Sequence, residues 1–295
     1  MILVTTLLAS LLACAVLLLV QWRRTTVRDA SGRETRSLPG ALQLSVGFAT
    51  NFFDTLGIGS FATTTALFRL FRMVPDELIP GTIIVGDALP VVAQALIFIS
   101  VSRVDPTQTA LLIAACVSGG WIGAGIVSSL SRRAIQIGMG CALVAAVAFM
   151  MAAMFGWFPA GGTALALTPR SFAIALAANA LLGALLTLGI GNYAPSLVLF
   201  SVLGMDPRAA FPIMMGSGAF VATIAGIRFV RAFRIHQRAA LGLVLGGIPG
   251  VVVAALIVRS LPLEALRWVV LAVVAYAAVT LLHAGLKSPA PSIRG

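Results

Sequence analysis

Two glycine-broken elements hold the residues best suited to chemistry. Thr55-Leu56-Gly57-Ile58-Gly59-Ser60 and Thr187-Leu188-Gly189-Ile190-Gly191-Asn192 repeat one pattern inside long apolar stretches. Glycine interrupts helices because it is conformationally permissive and loses the most backbone entropy on folding. Ser60 and Asn192 come next, and both residue types are favoured at helix N-caps. A helix that starts there presents unpaired N–H groups and a positive dipole end. Two such ends meeting at one point would hold an anion without a buried lysine or arginine. The candidate lining from the first element is Asn51, Thr55, Gly57, Gly59, Ser60, Thr63 and Thr64. From the second it is Thr187, Gly189, Gly191, Asn192, Tyr193 and Ser196. The competing reading is that the glycines serve close helix packing and the hydroxyls bond only their own backbone.

Two carboxylates, Asp54 and Asp87, also fall within apolar runs. Ionisable groups at membrane depth are costly and tend to mark function. A carboxylate repels an anion unless it carries a proton, so both are candidates for proton coupling. The alternative is structural: a hydrogen bond capping the unwound segment, or a salt bridge to a loop arginine. Gln94 and Ser217 are candidates for further polar contacts.

These residues must be held by membrane helices. The chain is 60% hydrophobic and only 10% charged, against about 25% charged in soluble domains; its mean hydropathy is +1.06. Backbone in lipid must satisfy its own polar groups, which leaves helices or closed barrels. The long unbroken apolar runs select helices. A net charge of +11 would suggest nucleic acid in a soluble protein, but these arginines sit in short loops between apolar runs. That is the positive-inside pattern, so lipid and not nucleic acid is the expected partner. Cys14, Cys116 and Cys141 lie in apolar stretches with no CxxC or Cys/His cluster. No metal site, disulfide framework or cofactor is expected.

The pattern repeats well beyond the glycines. Phe61, Phe68, Met73, Pro75, Pro80 and Gly86 match Tyr193, Phe200, Met205, Pro207, Pro212 and Gly218. The expected division is a transmembrane helix at 1–21, a basic cytoplasmic loop at 22–40, repeat 1 at 41–156, a linker at 157–171, repeat 2 at 172–286 and a cytoplasmic tail at 287–295. Each repeat reads as a broken stretch (41–71, 173–204) followed by three ordinary spans. These fall at 79–101, 107–130 and 134–156, then at 209–230, 238–258 and 264–286. If the broken stretches turn back within the membrane, Arg69, Arg72, Arg132 and Arg133 join Arg23, Arg24, Arg28, Arg33 and Arg36 in the cytoplasm. If they cross, those four move outside and only Arg103 and Arg170 move in. Charge therefore favours re-entrant pairs and an odd number of crossings per repeat, so the two repeats are inverted. The N-terminus is then outside and the C-terminus cytoplasmic. The glycine rows Gly242, Gly246, Gly250 and Gly119, Gly123 suit close helix contact, within one protomer or in a homodimer.

The duplicated Gly-Ile-Gly elements, the proline-led segments after them and the basic loops resemble the sulfite exporter TauE/SafE family, over residues 41–286. The resemblance implies a bacterial inner-membrane carrier that exports sulfur-containing anions such as sulfite or organosulfonates. The chain departs from many members of that family, which have a longer glycine run, in placing Ser60-Phe61 and Asn192-Tyr193 after the break. The leading expectation is a secondary transporter of a small anion, and not an enzyme. No GxxxxGK[ST] phosphate loop is present, so nothing in the chain points to ATP drive. An anion channel, or a carrier of another small organic anion, is the alternative. An intramembrane aspartyl enzyme is least favoured: Gly86-Asp87 lacks the GxGD pattern, and no Ser-His pairing is evident.

Overall fold

A computed structural model of the chain describes residues 2–25, 38–56, 59–99, 104–157, 162–189, 191, 193–257 and 263–287. Among these the protein is all helical, with a single isolated bridge between Ala164 and Met205. The helices are α1 (Ile2–Arg24), α2 (Ala41–Thr55), α3 (Ser60–Leu70), α4 (Ile79–Ile99), α5 (Pro106–Ser129), α6 (Arg132–Met154), α7 (Pro169–Leu186), α8 (Tyr193–Val202), α9 (Pro207–Arg231), α10 (Gln237–Ile257) and α11 (Leu263–Lys287). Seven of them (α1, α4, α5, α6, α7, α9 and α10) are long and apolar enough to cross a membrane, as a multi-pass membrane protein requires.

Local chemistry fixes several ends. Asp105 caps α5, accepting from the Thr107 and Gln108 N–H groups at 2.8 and 3.0 Å, with Pro106 as the first helical residue. Ser131 caps α6 and Thr168 caps α7 through their hydroxyls. Thr168 with Pro169 starts α7 four residues before the expected 173, at a cap-then-proline signal present in the sequence. Helix α1 runs on to Arg24 instead of ending at 21, and its two terminal arginines suit the negative end of its dipole. Both long apolar stretches are broken: the first between Thr55 and Ser60, the second between Leu186 and Tyr193.

The packing is ordered. Helix α2 lies along α10 and α7 along α5; α4 packs on α9 and α6 on α11. Helix α5 also meets α9, α4 meets α10, α3 meets α11 and α8 meets α6. Helix α1 lies chiefly on α9. The most enclosed helices are α4 and α9, whereas α1, α6 and α7 leave most of their apolar surface outward, as lipid-facing helices do.

The glycine rows work as the sequence suggests. A side chain at Gly242 or Gly246 would overlap Gln43 and the Leu44 carbonyl of α2, and Gly247 faces Asn51, so α2 and α10 run in the same direction. Gly119 and Gly123 meet Ala180 and Ala184 of α7 in the same manner. These contacts lie within one protomer.

Polar contacts tie the helix ends. The Arg238 Nε donates to the Leu38 carbonyl at 3.1 Å, and the His236 N–H donates to Thr82 Oγ1 at 2.8 Å. Arg69 bridges Asp76 at 2.6 Å, and Gln136 donates to the same carboxylate at 2.8 Å. Arg69 also donates to the Thr280 carbonyl at 3.3 Å. Elsewhere, the Gln108 side chain makes two bonds with the Leu167 backbone, at 2.9 and 2.8 Å. The Asp206 N–H donates to the Ala164 carbonyl at 2.9 Å.

Candidate functional site

The two breaks meet. A Cβ built on Gly189 would lie 2.9 Å from the Phe61 ring, so the second break rests on the first turn of α3. Beside this contact is a cavity of about 70 Å³. The first broken stretch contributes Asp54, Gly59, Ser60 and Phe61 to its wall, and the second contributes Leu186 and Gly191. Helix α4 adds Ile83, Ile84, Asp87 and Val91; α9 adds Met214, Met215, Gly218 and Ala222. The glycines are needed for their backbone: Gly59 has φ +88° and Gly189 φ +118°, conformations that side-chain-bearing residues avoid.

Ser60 is not the cap that its residue type suggests. It is the first residue of α3, after Gly59. The cap is the Asp54 carboxylate, six residues back across the break, which accepts the Ser60 N–H at 2.6 Å. Its other oxygen accepts from Gln94 Nε2 at 2.9 Å. The positive end of α3 is therefore already matched by a carboxylate of the chain itself. That differs from the expectation of two unoccupied helix ends: the first is capped by a carboxyl group of the chain.

Asp87 is held differently. Its Oδ1 accepts from Asn51 Nδ2 at 3.0 Å, while Oδ2 has no hydrogen-bond partner although the residue is only 4% exposed. The Ser60 hydroxyl faces both carboxyl groups without closing a bond to that oxygen. Asn51 Nδ2 also donates to the Gly47 carbonyl at 3.1 Å, which leaves Asn51 Oδ1 unpartnered too. Flipping the amide would set its oxygen against two acceptors, so the network fixes its orientation.

Of the other expected residues, Gly59, Ser60 and Gly191 line the cavity and Gly189 supports it. Asn51 sits behind it, on Asp87. Thr55 donates to the Asn51 carbonyl at 2.9 Å and accepts from Gln94 at 3.0 Å. Thr63 bonds back to Gly59 and Ser60, and Thr187 to Ala184. Those three hydroxyls serve their own backbone and do not line the cavity, and neither do Thr64 and Ser196, both fully buried. Gly57 and Asn192 lie outside the described residues; of Tyr193 only the backbone is described, opening α8. Ser217 accepts a bond from Asn179 away from the cavity. Phe61, Met214, Met215 and Gly218 were not expected at the site. The match of Phe61 to Tyr193 across the repeat was the available signal for the first; nothing local marks the other three.

The wall thus carries two carboxyl groups and one hydroxyl among apolar side chains, with no lysine, arginine or histidine among the described lining residues. No family model matches the chain, and no curated protein or solved structure does either.

Proposed function

We propose that the protein is a secondary transporter that exports a small sulfur-containing anion, of the sulfite or organosulfonate class, across a bacterial inner membrane. The observation that carries the reading is the cavity bounded by Gly59 and Ser60 of one break and Gly191 of the other. Discontinuous helices meeting at the centre of a bundle are the usual substrate site of such carriers. A volume of about 70 Å³ is well above the roughly 10–15 Å³ that holds one water on a probe measure. It leaves room for a compact oxyanion.

The proposal includes two inverted repeats, α2 to α6 and α7 to α11, with re-entrant pairs α2–α3 and α7–α8. Exchange of the repeats turns the α2–α10 packing into α7–α5, α5–α9 into α10–α4, and α3–α11 into α8–α6, all of which occur. Both ends of α2–α3 have neighbours at one end of the bundle: Leu38 bonds Arg238, and Thr82, in the first turn of the α4 that follows the pair, bonds His236. Both ends of α7–α8 have neighbours around residues 162–167, through Gln108–Leu167 and Ala164–Asp206. By length alone α7 could cross, at 18 residues, but these contacts favour its return. The arginine-rich end, with Arg69, Arg132 and Arg238, is assigned to the cytoplasm, which leaves the N-terminus outside and the C-terminus inside.

The test is flux of labelled sulfite in proteoliposomes, with and without a pH gradient, beside sulfate, thiosulfate and a taurine-like sulfonate. Saturable, counter-ion-dependent sulfite flux is expected. Flux that never saturates would make the protein a channel, and no flux of any of these anions would overturn the sulfur-anion reading.

A further inference from the structure

We propose that Asp87 is the exchangeable proton carrier of the cavity and that Asp54 serves as the cap of α3. The two carboxyl groups line the same cavity, yet their surroundings ask opposite things of them. Each oxygen of Asp54 accepts a fixed donor, the Ser60 N–H at 2.6 Å and the Gln94 amide at 2.9 Å. The Ser60 donor belongs to the first turn of a helix whose dipole favours negative charge. Both Asp54 oxygens are thus engaged by fixed donors.

Asp87 has one fixed donor, the Asn51 amide at 3.0 Å, with the Ser60 hydroxyl facing it. Its Oδ2 is a buried acceptor with no partner, and Asn51 Oδ1 is a second one behind it. Buried polar atoms are rarely left unpaired, so the unpaired Oδ2 calls for something that brings positive charge or a hydrogen. A proton needs one oxygen and no coordination shell, and Asp87 Oδ2 is one such buried oxygen at a residue of the cavity wall. A metal cation would need several, and the Asp54 oxygens are already engaged.

Among the described residues, no basic group competes for the role. Helix α4 packs against α1, α2, α3, α9, α10 and the short turn Asp76–Leu78, which carries Asp76 and Glu77 before the first residue of α4. Among the described residues, α2 brings Asp54 to the Asp87 carboxyl. Arg69 of α3 is paired with Asp76 at the far end of its helix. Arg228 and Arg231 lie in the last turn of α9, Arg23 and Arg24 in the last turn of α1, and Arg238 in the first turn of α10.

The step is a protonation: an O–H bond forms at Asp87 Oδ2, the carboxylate loses its negative charge, and the same bond breaks when the cavity opens to the other side. No electrons are transferred. Neutral Asp87 removes the repulsion that an anion would otherwise meet, so the assignment rests on the anion-transport reading for its purpose but not for its test.

The test is infrared difference spectroscopy of the full chain in liposomes during a pH titration, reading the C=O stretch of a protonated carboxylic acid. Wild type is expected to show one titrating buried acid. Asp87→Asn should lose that band completely, Asp87→Glu should restore it at a shifted frequency, and Asp54→Asn should keep it. Gln94→Ala, a milder change at Asp54, should also keep it if Asp54→Asn does not fold. A band that survives Asp87→Asn, a band lost only in Asp54→Asn, or no protonated acid at any pH would overturn the proposal. A parallel flux assay with sulfite and an internal pH dye separates the two claims. The infrared pattern without sulfite flux would leave the proton assignment standing and overturn the substrate reading.

Discussion

Replacing Asp54 tests whether a helix beginning inside a membrane protein can be capped from the other side of a chain break. The Asp54 oxygens take the Ser60 N–H at 2.6 Å and the Gln94 amide at 2.9 Å, at a residue 4% exposed. Asp54→Ala removes both acceptors. Loss of an N-cap costs about 1 kcal/mol, and a buried donor left unsatisfied costs about 1–3 kcal/mol. Gln94 keeps Thr55 as a partner at 3.0 Å, so the low end applies to it, and the total is about 2–3 kcal/mol. Asp54→Asn keeps an oxygen for the Ser60 N–H, and Asn caps about as well as Asp. Both variants remove the same buried charge, so their difference isolates the acceptor: Asp54→Ala should be less stable than Asp54→Asn by about 1–2 kcal/mol. The assay is unfolding in mixed micelles of rising SDS fraction, followed by helical circular dichroism. Equal stabilities, within about 0.5 kcal/mol, would refute the capping argument.

Gly246→Leu should prevent α2 from seating on α10, since even a Cβ there overlaps the Leu44 carbonyl; it should yield little folded protein by size-exclusion chromatography. Gly189→Ala should destabilise by more than about 1 kcal/mol, given φ +118° and the Phe61 ring, read in the same SDS titration. His236, in the turn between α9 and α10, accepts the Ala239 N–H at Nδ1 at 3.3 Å, which requires a neutral ring. Burial first, and Arg238 after it, hold the His236 ring below its usual 6.5, partly opposed by a bond to its own backbone. The unfolded chain therefore binds the proton first, and stability falls as pH drops below about 6.5. Stability measured across that range should show the drop, and His236→Asn should flatten it. Single cysteines at Arg72 and Arg170, in a chain with Cys14, Cys116 and Cys141 replaced by serine, should react with an impermeant thiol reagent from opposite sides of sealed vesicles. Reaction from one side would refute the inverted arrangement.

The helix plan was legible because membrane helices are written locally. Apolar runs gave the spans, and the Gly-Ile-Gly elements marked both interruptions, because the cost of glycine in a helix depends on no distant neighbour. The contacts of Gly242, Gly246 and Gly119 were legible for a similar reason: small residues at four-residue spacing make a flat face whatever lies opposite. The start of α7 at Pro169, four residues before the apolar stretch at 173, is set by the Thr168 cap and the proline after it, a local signal that the extent of an apolar run does not carry. The site was legible only in part. That Asp54 caps α3 depends on the path of residues 55–59, and that Gln94 completes the cap depends on how α4 packs beside α2. The Met214, Met215 and Gly218 wall depends on the α4–α9 contact. Hydroxyl residues misled because Thr55, Thr63 and Thr187 had a nearer partner in their own helices, an option always open to threonine.

The two halves of the site are unequal, and this has a consequence for the anion. Leu186 and Ala219 occupy the positions that match Asp54 and Asp87, so acids enter from the first half alone. Asp54 takes up the positive end of α3. The corresponding end of α8 follows Gly191, which lines the cavity and whose Cβ would meet open space. An anion drawn to a helix end should therefore settle toward α8, and toward Asp87 only when that group carries its proton. Gly191→Ala puts a methyl group into this space without backbone clash, so it should fold normally and weaken sulfite transport. Gly59→Ala, at φ +88° and also without a close neighbour, should act through backbone strain and lower stability as well. Stability and flux measured on both variants separate these effects. If Gly191→Ala transported sulfite with unchanged KM and maximal rate, the anion would not sit at the end of α8.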